Sequence, residues 1–232
     1  MLTFIKKPHL MSGPTKHIAG IVLCGGQSSR MGRDKWALPW GDETLLQRTV
    51  RILSEVVNPI AVVAAAEQDV SGLPTDAILV RDLISAQGPL GGLHAGLQAL
   101  AQVKGPPIEA AYVTACDTPL LKPEFVRAII ERLETHELAV AKEGGFHHPL
   151  AGVYRVSLID RIEKLLRASR NRPLFLIEDS DSCEVEVEEL RSIDPELDSL
   201  RNCNTPEEYE AVLKKFQPSL LSDTITGKHH SS

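Results

Sequence analysis

The chain has 232 residues, with 25 basic and 31 acidic side chains, a net charge of −6, and hydrophobic and charged contents of 43% and 24%. That balance excludes a disordered chain, a collagen-like chain and a coiled coil. A mildly acidic chain also lacks the footprint of a general nucleic-acid binder, although local amides and a few cations can still hold a small anion. Aromatic residues make up only 4%, so the core must come from Ala, Val, Ile and Leu, which suits a parallel sheet covered by helices. The longest apolar run, Ile60 to Ala66, is far short of the roughly 20 residues that span a bilayer. The start, Met-Leu-Thr-Phe-Ile-Lys-Lys-Pro, has no signal-peptide pattern, so a cytoplasmic location is expected. Cys24, Cys116, Cys183 and Cys203 form no Cys-x-x-Cys pair, which argues against structural zinc and a disulfide scaffold.

Residues 1–17 carry Pro8, Gly13 and Pro14 without periodicity and read as a loose arm. Ile18 to Cys24 reads as a buried strand ending in Gly25-Gly26. From Glu43, apolar residues recur at helical spacing (Leu45, Leu46, Val50, Leu53, Val56), with Asp42 or Thr44 as candidate caps and Pro59 as the stop. Strands are expected at Ile60–Ala65, Ala77–Val80 and Ala110–Ala115, and helices from Pro89 to Gln102 and from Pro123 through Leu133. Leu138–Ala141, Leu150–Tyr154 and Cys183–Val187 read as further strands, and Val156–Ser169 as an amphipathic helix. Thr205-Pro206-Glu207-Glu208 is a capping box that opens a last helix to Phe216, and the tail 218–232 is polar. Alternating strands and helices predict a single α/β domain over 18–217, a doubly wound, mostly parallel sheet with helices on both faces.

In such sheets, ligands sit beyond the carboxyl ends of the strands. The first strand runs into Gly25-Gly26-Gln27-Ser28-Ser29-Arg30-Met31-Gly32-Arg33-Asp34-Lys35. Its glycines let backbone amides approach phosphate oxygens, and Arg30 and Lys35 add positive charge. The spacing fits neither a Rossmann dinucleotide loop nor a P-loop. Asp117 follows the strand 110–115 and is the expected Mg²⁺ ligand of a triphosphate site; the competing reading is a turn cap. Asp82 precedes the helix-opening Gly88-Pro89 and reads either as a nucleotide contact or metal support, or as a surface turn acid. His147-His148, Asn202-Cys203-Asn204 and the stripe Arg161, Lys164, Arg167, Arg170 each carry a ligand reading beside a plainer one of turn or solvated face. Cys24, Cys116 and Cys203 read as small apolar fillers.

Leu-x-Gly-Gly-x-Ser-x-Arg-Met-Gly-x-Asp-Lys at 23–35 resembles the signature of molybdenum cofactor guanylyltransferases, the MobA family. Gly88-Pro89-Leu90-x-Gly92 after Asp82, Cys116-Asp117-Thr118-Pro119, and Asn202-x-Asn204-Thr205-Pro206-Glu207 look like its later motifs in the same order. The resemblance covers residues 18–216 and implies a Rossmann-like nucleotidyltransferase fold. It also implies GTP contacts at Leu23, Cys24, Gly25, Lys35, Asp82 and Asp117, with Asp117 also ligating Mg²⁺. Gly26 and Arg30 join the set as a loop amide and a cation. The implied reaction joins GMP from GTP to molybdenum-loaded molybdopterin and releases diphosphate. The implied partners are GTP and molybdopterin, with room for molybdoenzyme maturation proteins, and neither nucleic acid nor membrane. Two features depart from the family: Cys24 stands where Ala is common, and Ala64-Ala65-Ala66-Glu67 offers no Asn to GTP. A cytidylyltransferase, a sugar- or alcohol-phosphate nucleotidyltransferase and a non-catalytic nucleotide-binding module are the rivals. Cytidylyltransferases look more like Ala-Ala-Gly and Asp-x-Asp where this chain has Cys24-Gly25-Gly26 and Asn202-x-Asn204, which favours guanine.

Overall fold

The computed structural model describes residues 17–24, 34–82 and 87–216. Gly25, Gly26 and Arg30, the tail 218–232 and all of the arm except His17 lie outside the described residues. The strand Ile18–Leu23 (β1) is central, with Ile60–Ala65 (β4) on one side and Ala110–Ala115 (β6) on the other, both parallel to it. Ile78–Asp82 (β5) adds outside β4. Beyond β6 come Phe146–Arg155 (β8), Leu138–Glu143 (β7) and Ser182–Glu186 (β9), giving the order β5-β4-β1-β6-β8-β7-β9. β8 is antiparallel to both β6 and β7, while β9 is parallel to β7, so only β8 runs against the others.

Burial on both faces explains the continuous apolar strands. Ala19, Ile21 and Leu23 of β1, Ala61 and Val63 of β4, and Ala111 and Val113 of β6 face one layer of helices. That layer holds Gly88–Ala101 (α2), Ile159–Arg167 (α4) and Pro173–Glu178 (α5). Val22, Val62 and Tyr112 face the other layer, Leu45–Ser54 (α1) and Pro123–Glu131 (α3). Small residues set how closely the layers approach: a Cβ at Gly96 of α2 would lie 2.8 Å from Ile21 Cδ1, and one at Gly20 would lie 2.7 Å from Leu53 Cδ2.

A third cluster lies apart from the two sheet faces. Pro39–Trp40 (β2) and Glu43–Thr44 (β3) form a short hairpin turned at Gly41, whose φ is +65°. Leu38, Trp40 and Leu45 pack there against Leu120, Cys203 and Leu213, the last from Pro206–Phe216 (α6).

Several expected boundaries shift. α1 begins at Leu45, not Glu43, because Glu43 belongs to the hairpin, and Thr44 is its cap with a full capping box to Gln47. The expected strand 150–154 starts at Phe146, so His147 and His148 lie within β8 rather than before it. The region 156–169 divides into a 3-10 turn, Val156–Leu158, and α4. α5 was not foreseen; it is six residues long, too short for periodicity to reveal.

Gly96→Val should lower the unfolding free energy by about 1–3 kcal/mol, the usual cost of overpacking a filled core. Urea denaturation measures it, and an unchanged midpoint would mean that α2 does not sit this close to β1.

Candidate active site

Parallel pairing of β1 with β6 in the register Leu23↔Ala115 brings their carboxyl ends level. Cys116 N–H donates to the Leu23 carbonyl at 3.1 Å, and Cys24 N–H donates to the Val63 carbonyl at 2.8 Å. The ladder therefore continues one residue past each strand and delivers Asp117 beside the end of β1. The turn there is closed by Thr118, whose hydroxyl donates to the Ala115 carbonyl at 2.8 Å. The Asp117 carboxylate instead reaches across the fold. Its Oδ2 accepts from Lys35 Nζ at 3.1 Å, and its Oδ1 accepts from Asn202 Nδ2 at 3.2 Å. Lys35 Nζ also donates to Asn204 Oδ1 at 2.8 Å, and Cys203 N–H donates to the Asp117 carbonyl at 2.9 Å. Arg48 donates from Nε to the Pro119 carbonyl at 2.6 Å and stacks over Trp40, tying the loop after Asp117 to the hairpin.

The structure thus brings Lys35, Asp117, Asn202 and Asn204 into one cluster, with Leu23 and Cys24 adjacent through the sheet. The two asparagines, left open between turn and ligand roles, are direct partners of the charged pair. Leu23 and Cys24 side chains are buried in the core, so only their backbone faces this edge. Asp82 ends β5 on the same edge but lies three strands from β6, about 14 Å at ordinary strand spacing. Gly25, Gly26 and Arg30 lie outside the described residues. Gln68 was missed by sequence reasoning. Its Nε2 donates to the Cys24 carbonyl at 3.3 Å and its Oε1 accepts Ala65 N–H at 3.2 Å. The polar residue directly behind the Ala64–Glu67 stretch was the available signal.

The cationic stripe is largely neutralised: Arg161 pairs with Glu137, Arg167 with Glu163 and Arg170 with Asp179. That is a solvated, paired face. His147 pairs with Glu184, which also takes Lys142.

The family description MobA-like NTP transferase domain matches residues 20–182. The chain belongs to this family. A probable molybdenum cofactor guanylyltransferase of Mycobacterium avium is 37% identical over 198 residues, covering 84% of this chain and 94% of the relative. A similarly named protein of Mycobacterium tuberculosis H37Rv is 35% identical over 182 residues, covering 77% and 88%. Among solved structures, the molybdopterin-guanine dinucleotide biosynthesis protein A of Archaeoglobus fulgidus superposes with a TM-score of 0.72 at 24% identity, covering 85% of this chain and 97% of that one. This last likeness speaks to the fold.

In this MobA-like NTP transferase, Asp117 is only 5% exposed. Burial raises its carboxyl above the ordinary aspartate value, and Lys35 opposes that shift without cancelling it. A desolvated carboxylate of this kind gains from a cation. No group of three or more His, Cys, Asp or Glu that could cage a metal occurs among the described residues. The oxygen donor that this edge does offer, the Asp117 carboxylate, is of the kind hard divalent ions take together with phosphates and water. Cys116 and Cys203 flank the site, but the hydrogen bond with Cys24 and burial push the Cys116 thiol up, and burial pushes Cys203 up to about 12, so both stay protonated and inert near neutral pH. Among the described residues no helix is long and apolar enough to cross a membrane.

The sign of the Asp117 shift gives a stability test. A folded-state value above the unfolded one means that the ionised carboxylate costs stability, and the cost grows as pH rises through the carboxylate range. In metal-free protein, Asp117→Asn should match the native melting temperature at the acid end and exceed it by a margin that grows through the carboxylate range and then levels off. Thermal melts in chelator across pH check this. A variant less stable at every pH would instead make Asp117 a structural turn residue.

Proposed function

We propose that this chain transfers GMP from GTP to the phosphate of molybdenum-loaded molybdopterin, forming the guanine dinucleotide cofactor and releasing diphosphate. The observation that carries this reading is the contact between Lys35 and the buried Asp117 at the shared carboxyl end of β1 and β6. The names of the curated relatives support it, and Asn202-x-Asn204 supports guanine over cytosine.

The chemistry asks little of the protein in proton transfer. A phosphate monoester has its second pKa at about 6, so the acceptor oxygen is already anionic near neutral pH. That oxygen bonds to the α-phosphorus as the bond to the bridging oxygen of the leaving diphosphate breaks. The protein's work is to align the two phosphates and offset their charge. Lys35, held at the end of β1, supplies a positive charge to the reacting phosphates. Arg30 and the amides of Gly25 and Gly26 are assigned to the same task on their place in the loop. Leu23 and Cys24 are assigned to the nucleotide on the family resemblance, through the second lone pairs of carbonyls that already accept from Cys116 and Gln68, and Asp82 is assigned to its far end on the β5 side. Asp117 would hold Mg²⁺, which when bound neutralises phosphate charge and orients the triphosphate. We assign the protein to the cytoplasm, with GTP and molybdopterin as its substrates.

Two measurements test the assignment. Calorimetry in Mg²⁺ should show GTP binding more tightly than CTP or ATP; equal or tighter CTP binding would sink the guanine reading. Diphosphate release from GTP and molybdopterin should fall by roughly 10²-fold or more in Lys35→Ala, the scale of losing one electrostatic stabiliser. Its metal-free melting temperature should fall toward neutral pH, because the buried Asp117 carboxylate loses its cation, so turnover is compared at a temperature where the variant is folded. In Asp117→Asn, turnover should be nearly abolished, and survival with an unchanged Mg²⁺ requirement would remove Asp117 from the site.

A further inference from the structure

We infer that Glu208 is a positioning residue for the transfer, acting through Asn204 to hold the Lys35 ammonium in place. The inference rests on the reading of Lys35 as a phosphate contact.

Glu208 opens α6 three residues after Thr205. A capping box needs its carboxylate to accept only the Thr205 N–H and its own N–H to reach the Thr205 hydroxyl. Both bonds are present, each at 3.2 Å. The same Oε2 makes a shorter bond, 2.7 Å, to the N–H of Asn204, the residue outside the helix. Asn204 then accepts from Lys35 Nζ through its side-chain oxygen at 2.8 Å. Glu208 therefore fixes the backbone of the residue that grips the lysine.

α6 is itself anchored to the segment that follows Lys35. Tyr209 donates its hydroxyl to the Pro39 carbonyl, and Leu213 packs with Leu38 and Trp40. A closed circuit results: Lys35, the hairpin at 39–44, α6, Glu208, Asn204 and back to Lys35. A lysine is a point charge on a flexible stem with three donors. One donor goes to Asp117 and one to Asn204. A cation on the carboxylate would compete with the first contact. The Asn204 amide oxygen is uncharged and keeps its hold in either state, leaving the third donor for phosphate.

The test compares Glu208→Ala, Glu208→Gln and Asn204→Ala, singly and with Glu208→Ala and Asn204→Ala combined. Glu208→Ala should lower kcat by about three- to tenfold, the scale of one hydrogen bond, with KM for GTP little changed. Glu208→Gln keeps an oxygen that accepts both N–H bonds and should retain most of the native kcat. In the Asn204→Ala background, Glu208→Ala should add little, as coupled residues do. The inference is overturned if the Glu208→Ala loss is undiminished in that background, if Glu208→Gln falls as far as Glu208→Ala, or if melting temperature drops while kcat holds. A second readout needs no turnover: acylation of the Lys35 amine, quantified by mass spectrometry, should rise in Glu208→Ala and Asn204→Ala but not in Glu208→Gln. If the native chain releases no diphosphate from GTP and molybdopterin, the proposed reaction falls, and unaltered Lys35 labelling in Glu208→Ala would overturn the positioning role separately.

Discussion

The negative charge of Asp117 is held at 5% exposure at the end of a strand that is itself wholly buried. Removing a carboxylate from water is costly unless it is paired and hydrogen-bonded, or neutralised by a proton. Everything polar at this end of the molecule follows from that requirement. Lys35 must return from the loop after β1, and Asn202 must arrive from the far side of the sheet, across 82 and 85 residues of sequence. Pairing is incomplete as a remedy, since the carboxyl remains raised despite the lysine.

The sheet explains why the charge sits where it does. β1, β4 and β6 are covered on both faces by helices, so no polar side chain can project from their middles without losing its water. Chemistry is confined to strand ends, and at the carboxyl ends the loops fan out to make a crevice. Close helix approach at Gly20 and Gly96 brings the layers tight against β1, which makes the end of that strand a firm platform. A loop can carry function with precision only when its base is fixed in this manner.

The third cluster, around Trp40, Leu120, Cys203 and Leu213, does a different job. It joins the hairpin after Lys35, the loop after Asp117 and the start of α6, the three segments that meet at the charged pair. Its packing sets their mutual distances, while Arg48 adds a polar pin between the Pro119 carbonyl and Glu43. Cys203 serves as a buried filler at the centre of this cluster rather than as a nucleophile.

Much of this was legible before folding is considered. Apolar runs marked β1, β4 and β6 because strands buried on both faces need no alternation, and Lys35 and Asp117 stood out because each follows such a run. The resemblance to known motifs named the chemistry. Less legible were the features that depend on distant chain. β8 breaks the parallel pattern, and its pairing with β7 shifts register opposite Val140 and Ala141 of β7, so its first residues, from Phe146 through His148, looked like loop. Glu43 looked helical until the hairpin claimed it. Asn202 and Asn204 were indistinguishable from turn residues, and Gln68 was passed over, because a side-chain amide gains its meaning only from the atom opposite it. Local sequence determined which segments become strand or helix and where charge follows a strand, since those are matters of periodicity and neighbouring residues. Only the tertiary structure decided which polar groups meet at Asp117, because the carboxylate, the ammonium and the amides come from segments that only packing brings within hydrogen-bond reach.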